Sequence, residues 1–282
     1  MTSFWNWVKG CWRFLAQKLS GKKQSGSNGE PRPPEKRNGR PMARHPLDGA
    51  FKRIERANAH IAEAAANAKR FNELCAEQLV PQYEADTGKV AFRMKVPDAP
   101  GMVLPVSDAI HNLRSALDYV VFALSRHDSG VSQEGTQFPI EDVKFGKSAK
   151  GNLYGFDTRI KTYLKGLSAQ HVQLIEDLQP YKGVLWTKTL RDISNPDKHR
   201  ELVLIQGGIG MSGQIATGAS GSFDGLSGHV FRDVGPGGKG DLYVQNSLAF
   251  QEVFADGTPV IDTLQTIKSG VNAVVNAFKT EF

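Results

Sequence analysis

From Leu47 to Gln78, apolar residues recur at helical spacing, at Phe51, Ile54, Ala57, Ile61 and Ala65, with no Gly or Pro after Gly49; this predicts one long helix. The period then changes from 3.6 to 2. Gln82 to Glu84 and Val90 to Val96, with Val90, Phe92 and Met94 alternating around an Asp86-Thr87-Gly88 turn, predict a β-hairpin. A second helix is expected from Pro105 to about Arg126, where Ile110, Leu113, Leu117, Val121 and Leu124 make one apolar stripe. Residues 129–168 read as loop with short helical pieces, and helices follow over Ala169–Leu178 and Leu185–Ile193. Asn195-Pro196 has the form of an N-cap followed by proline at the first helical position, and so predicts a further short helix through Asp-Lys-His-Arg.

Beyond Leu202 the pattern turns to short β-prone runs, LVLIQ, HVF, DLYVQ and LAFQEVF, with twelve glycines between Gly207 and Gly240. The chain closes on a broad apolar helix carrying Val260, Ile261, Leu264, Ile267, Val271, Val274, Val275 and Phe278. At the other end, Phe4, Val8, Trp12, Leu15 and Leu19 fall on one helical face, with Lys9, Arg13 and Lys18 off it. Residues 20–46 hold five prolines and four glycines and almost no large apolar side chain, so they lack the surface to offset the entropy of ordering. The expected fold is therefore α+β: a helical bundle with a small antiparallel sheet, behind an N-terminal amphipathic helix and a disordered linker. The expected divisions are 1–19, 20–46 and a single domain over 47–282, itself helical over 47–200, Gly-rich and β over 201–256, and helical again over 259–279. No internal repeat is visible.

Composition changes this picture in one respect. The whole chain carries +6, yet residues 1–46 hold ten Lys or Arg against two acids, +8, which leaves 25 basic and 27 acidic residues, −2, for 47–282. Attraction for phosphate or an anionic surface thus belongs to the tail. A basic amphipathic helix with Trp5, Val8, Trp12 and Leu15 on its apolar side can lie flat on an anionic membrane. Packing of that stripe on the protein's own body or on a partner, and a true start downstream of Met1, are the alternatives. The expected contact is an anionic membrane surface or a partner protein through residues 1–23, with nucleic acid a lesser option. No stretch reaches the roughly 20 apolar residues of a membrane span, and the N-terminus lacks an uninterrupted secretory core. Two cysteines, Cys11 and Cys75, argue for a reducing compartment, so the expected location is cytoplasmic, peripheral to the inner membrane.

Several motifs are decoys. Gly208-Ile-Gly210-Met-Ser-Gly213 has dinucleotide spacing after a β-prone run, but the Gly- and Ser-rich sequence behind it does not make the helix a pyrophosphate needs, and hairpin loops explain it better. No dinucleotide or other cofactor is expected. The seven histidines are scattered and no paired-Cys or HExxH pattern exists, so no metal is expected. His111, Ser115 and Asp118 share one helix without a nucleophile elbow and are not read as a triad.

Two polar clusters remain. His111, Arg114 and Asp118 fall within about 60° on the face beside the apolar stripe of the second helix, with Asn112 next to them. Asn195-Pro-Asp197-Lys198-His199-Arg200 packs an acid and three nitrogen bases into four residues. Ion pairing across helices accounts for both structurally; charge brought to a packing edge in two places also suits a site. Because partly buried charges require partners, the two clusters are expected to meet in space, with Asp197, Lys198 and Arg200 supplying both signs to Arg114 and Asp118.

The order HNLRSALDY, QFPI, LQPY with a nearby LW, then NPDKHR resembles an uncharacterised family of bacterial proteins, most familiar in actinobacteria, over about residues 46–206. That resemblance implies no activity. More loosely, Arg114-Ser-Ala-Leu-Asp-Tyr119 resembles the Arg and spacing of HEPN ribonucleases, helical bundles whose histidine position is here Tyr119, a poor base with a pKa near 10. The expected function is a non-catalytic interaction or defence-associated protein held by its basic tail. The alternative is a HEPN-like, metal-independent ribonuclease in which Arg114 holds phosphate and His111 or His199 is the base.

Overall fold

The computed structural model describes residues 45–77, 79–84, 89–94, 101–198, 206–215, 229–230, 244–254 and 256–282. The order is α1 (Asp48–Glu77), β1 (Leu79–Glu84), β2 (Lys89–Met94), α2 (Val103–Ser129), β3 (Gly146–Lys147), β4 (Leu153–Tyr154), α3 (Phe156–Tyr163), α4 (Ala169–Glu176), α5 (Leu185–Lys198), β5 (Gln206–Ile215), β6 (His229–Val230), β7 (Val244–Val253) and α6 (Val260–Phe278). Short 3-10 turns cover Pro180–Lys182 and Lys279–Glu281. Helices and small antiparallel sheets together make an α+β fold, as the changes of period require. The expected N-terminal helix, with its contact residues Trp5, Val8, Trp12 and Leu15, and residues 20–44 of the linker lie outside the described residues. Among the described residues no helix is long and apolar enough to cross a membrane.

The chain divides into two compact units. The first, formed by residues up to Asn58, Ala109–Asn195 and Gln265–Phe282, has a helical core. All five expected stripe residues of α2, Ile110, Leu113, Leu117, Val121 and Leu124, are fully buried, and so are Val271 and Val275 of α6. Leu47, just before α1, and Ala50, Ile54, Ala57, Ile61 and Ala64 within it are buried, a line rotated slightly from the expected one, because the small alanines rather than Phe51 and Ala65 are buried. Ser168 caps α4, its hydroxyl accepting from the His171 N–H at 3.2 Å and so satisfying one donor of the first turn.

The second unit, Ala59–Asp108 and Pro196–Leu264, holds the strands β1, β2, β5, β6 and β7. One sheet has the order β1-β2-β6, its hairpin in register from Leu79↔Met94 to Glu84↔Lys89. Pro81 is tolerated because β1 is an edge strand. The other pairs β5 with β7 over ten positions, from Gln206↔Val253 to Ile215↔Val244.

Two expectations are corrected here. Gly208, Gly210 and Gly213 lie inside β5 rather than in hairpin loops: the alternation Ile209, Met211 and Ile215 continues through the glycines, and a paired partner strand supplies the order their missing side chains do not. Residues 202–205 of the expected LVLIQ strand lie outside the described residues, and DLYVQ and LAFQEVF contribute to the one strand β7. Asn195-Pro196 opens no new helix, since α5 runs through both to Lys198. A proline in the last turn forfeits a single hydrogen bond, which a terminal turn sustains.

Candidate functional site

The candidate site lies in the first unit, on the polar edge of α2. His111 is exposed, whereas Asn112 is buried and its Oδ1 accepts from Arg53 Nη1 at 3.1 Å. Arg114 and Asp118 point the same way, as the i, i+4 spacing dictates, with Nη2 and Oδ1 3.9 Å apart. Both also bond one backbone residue. Asp118 Oδ1 accepts the Phe138 N–H at 2.8 Å, and Arg114 Nη2 donates to the Phe138 carbonyl. One acid and one base thus take up both backbone groups of a single residue, as a neighbouring strand would.

The next residues are held the same way by Gln179, which is fully buried. Its Nε2 donates to the Pro139 carbonyl at 2.9 Å and to the Ile175 carbonyl at 3.0 Å, and its Oε1 accepts the Glu141 N–H at 2.9 Å. Phe138, Pro139 and Ile140 are all buried, so their backbone polar groups need internal partners. Side chains supply them because Pro139 has no N–H and a regular ladder is impossible there. The strings HNLRSALDY, QFPI and LQPY therefore meet in one hydrogen-bonded arrangement.

Arg114 is 12% exposed, and burial lowers its pKa from the ordinary value against the opposing pull of Asp118 and Tyr163. Its other terminal nitrogen, Nη1, is buried with no hydrogen-bond partner among the described residues. Beside the clamp, an open depression of about 520 Å³ is lined by Ser115, Asp118, Tyr119 and Phe122 of α2 and by residues 132–136. Tyr119 is 40% exposed, its ring lying under the Arg53 guanidinium at 5.8 Å and against Gly49. A Cβ at Gly49 would come within 2.5 Å of that ring, so the helix start must be glycine for the tyrosine to lie there.

Two further polar clusters went unread in the sequence. Glu176 is buried, with Lys144 Nζ at 3.0 Å and Lys182 Nζ at 3.5 Å from Oε1. Burial alone would raise its pKa, but the Lys144 hydrogen bond and charge hold the carboxyl below its usual range. Burial, aided by the charge of Glu176, pushes the nearby Tyr181 phenol well above its ordinary value. His171, also buried, sits between carboxylates, Nδ1 2.7 Å from Asp128 Oδ2 and Nε2 3.2 Å from Glu281 Oε2. The Ser168 N–H reaches the same Asp128 oxygen at 2.7 Å, and these contacts outweigh burial to keep Asp128 below the usual carboxylate range. The 43-residue and 110-residue separations of these pairs leave no local sequence signal.

Asp197 and Lys198 lie in the last turn of α5, while His199 and Arg200 fall outside the described residues, as does any meeting of this cluster with Arg114 and Asp118. Among the described residues no group of three His, Cys, Asp or Glu is placed to hold a metal. A dinucleotide fingerprint needs a tight turn opening a helix, and the glycines of Gly208–Gly213 are paired strand. Compared with known proteins, the chain matches no family model, no curated protein and no solved structure.

Proposed function

We propose that this chain is a non-catalytic interaction protein, held at an anionic surface by its basic N-terminal tail. The observation that carries the non-catalytic part is the use of Arg114 and Asp118: both spend their charge on the backbone of Phe138, a task that leaves the α2 edge structural. The +8 of residues 1–46, against −2 for the remainder, supports the surface. Four apolar positions, Trp5, Val8, Trp12 and Leu15, give the tail a face to bury in a lipid interface. Co-sedimentation of the full chain with phosphatidylserine-containing vesicles tests this. Trp5→Ser/Trp12→Ser should release the protein into the supernatant, and equal partitioning of variant and wild type would remove the tail from the account.

The ribonuclease reading keeps two observations in its favour. His111 is exposed one turn from Arg114, and Arg114 Nη1 is buried without a partner among the described residues. In that reading Arg114 holds a phosphate and His111 or His199 takes the proton, while Tyr119 occupies the position of the HEPN histidine. Its test is hydrolysis of RNA by the purified chain without added metal.

A further inference from the structure

His171, in the first turn of α4, is the one buried histidine among the described residues, and both of its ring nitrogens meet carboxylates. Nδ1 lies 2.7 Å from Asp128 Oδ2 of α2, and Nε2 lies 3.2 Å from Glu281 Oε2 of the 3-10 turn Lys279–Glu281. The groups facing the ring come from three sides. α2 brings Asp128 and His127, whose own ring stands 6.5 Å away, the turn brings Glu281, and α6 brings the apolar ring of Phe278, edge-on at 6.2 Å. Lys279 of the same turn lies over the Phe51 ring of α1 at 5.6 Å.

A neutral imidazole has one donor and one acceptor nitrogen, whereas an ionised carboxylate only accepts. Two carboxylates are therefore both satisfied only by a ring that carries a proton on each nitrogen. The two contacts are not equally held. Asp128 Oδ2 also accepts the Ser168 N–H at 2.7 Å, while the Glu281 side chain has His171 as its one polar partner among the described residues. Loss of a proton then falls at Nε2, which turns a lone pair toward the Glu281 carboxylate, and a charge-assisted hydrogen bond becomes a repulsion. The turn fastened by this bond also sets Phe282 edge-on to His127 at 5.2 Å and to His45 at 5.8 Å. It thus closes over the start of α1, the end of α2 and the start of α4, all within the first unit. We infer that His171 and Glu281 form a proton-dependent clasp, which holds the turn while both ring nitrogens are protonated and releases it as pH rises and Nε2 gives up its proton. Histidine suits the task because its charge changes nearest neutrality. Release frees Phe282 from His45, where the basic tail joins the body, but the clasp does not depend on what the tail binds.

Hydrogen exchange of the full chain at pH 6 and pH 9, corrected for the intrinsic rate at each pH, tests the clasp. The peptide covering Lys279–Phe282 should lose protection about tenfold at pH 9, while the peptide holding Ser168 keeps its own. Glu281→Gln puts in place of the carboxylate an amide that can donate to a neutral Nε2 or accept from a protonated one, so its turn should stay protected at both pH values. His171→Leu should leave the turn unprotected at both. Equal protection of the wild-type turn at pH 6 and pH 9 would overturn the clasp, and so would a Glu281→Gln chain with the wild-type pH dependence. Joint loss of protection in both peptides would mean unfolding of the unit rather than release, and would overturn it too. The Glu281→Gln arm decides alone if His171→Leu folds poorly, since Glu281 is the more exposed partner, 18% against 5%.

Discussion

The decisive residues are Arg114, Asp118 and Gln179, each of which completes the hydrogen bonding of a buried backbone that has no strand beside it. Removing one partner strands a buried donor or acceptor, which costs more than the bond itself contributes. Gln179→Ala leaves the Pro139 carbonyl and Glu141 N–H unsatisfied and should destabilise by roughly 2–4 kcal/mol in urea unfolding. Arg114→Ala and Asp118→Ala should each cost about 2–3 kcal/mol, and the double variant clearly less than their sum, since both act on Phe138. Strict additivity would mean that the two side chains do not share that residue. The sequence marked Arg114 and Asp118 by their position on the helix, because helical spacing is a local property. It could not mark Gln179, whose partner backbone lies 38 residues away, nor show that Asn112 meets Arg53.

At the level of elements, periodicity located the helices α1, α2 and α6 within a few residues, since a long amphipathic stripe has one buried solution, and found the β1-β2 hairpin though not the start of β1 at Leu79. It failed where the partner is distant. Glycines that alone read as loop became strand through ten pairs with β7, and the helical α5 absorbed a proline that reads as a start signal. Phe138, Pro139 and Ile140 belong to neither pattern: they are buried in no helix or strand, with side chains in place of ladder partners. Hydrogen exchange should therefore find the Phe138 and Glu141 amides protected as if in a sheet, with Gln179→Leu exposing Glu141 alone. Fast exchange of both amides in the wild type would contradict the clamp.

Across the molecule, stability should depend on acid in a direction the carboxylates set. Asp128, Glu176 and Asp192 are all held below their ordinary pKa by hydrogen bonds and cations that outweigh burial. A depressed folded pKa gives stability that is full above the unfolded value, near 4, and is lost as pH falls through the folded one. Urea midpoints should be flat from about pH 7 to 5 and fall below about pH 4, and Glu176→Gln should blunt the fall. A midpoint that rises on acidification would reverse the sign of the argument. The charge division between tail and body was legible in composition alone; the buried clusters around Glu176 and His171 were not, because each joins residues far apart in the chain.

The most direct measurement pairs thermal unfolding with RNA cleavage for the full chain and Arg114→Ala. If Arg114 serves the Phe138 backbone, the variant should melt several degrees lower, and RNA should remain intact with both proteins at neutral pH. RNA cleaved by the wild type and spared by an Arg114→Ala variant of unchanged melting temperature would contradict the account.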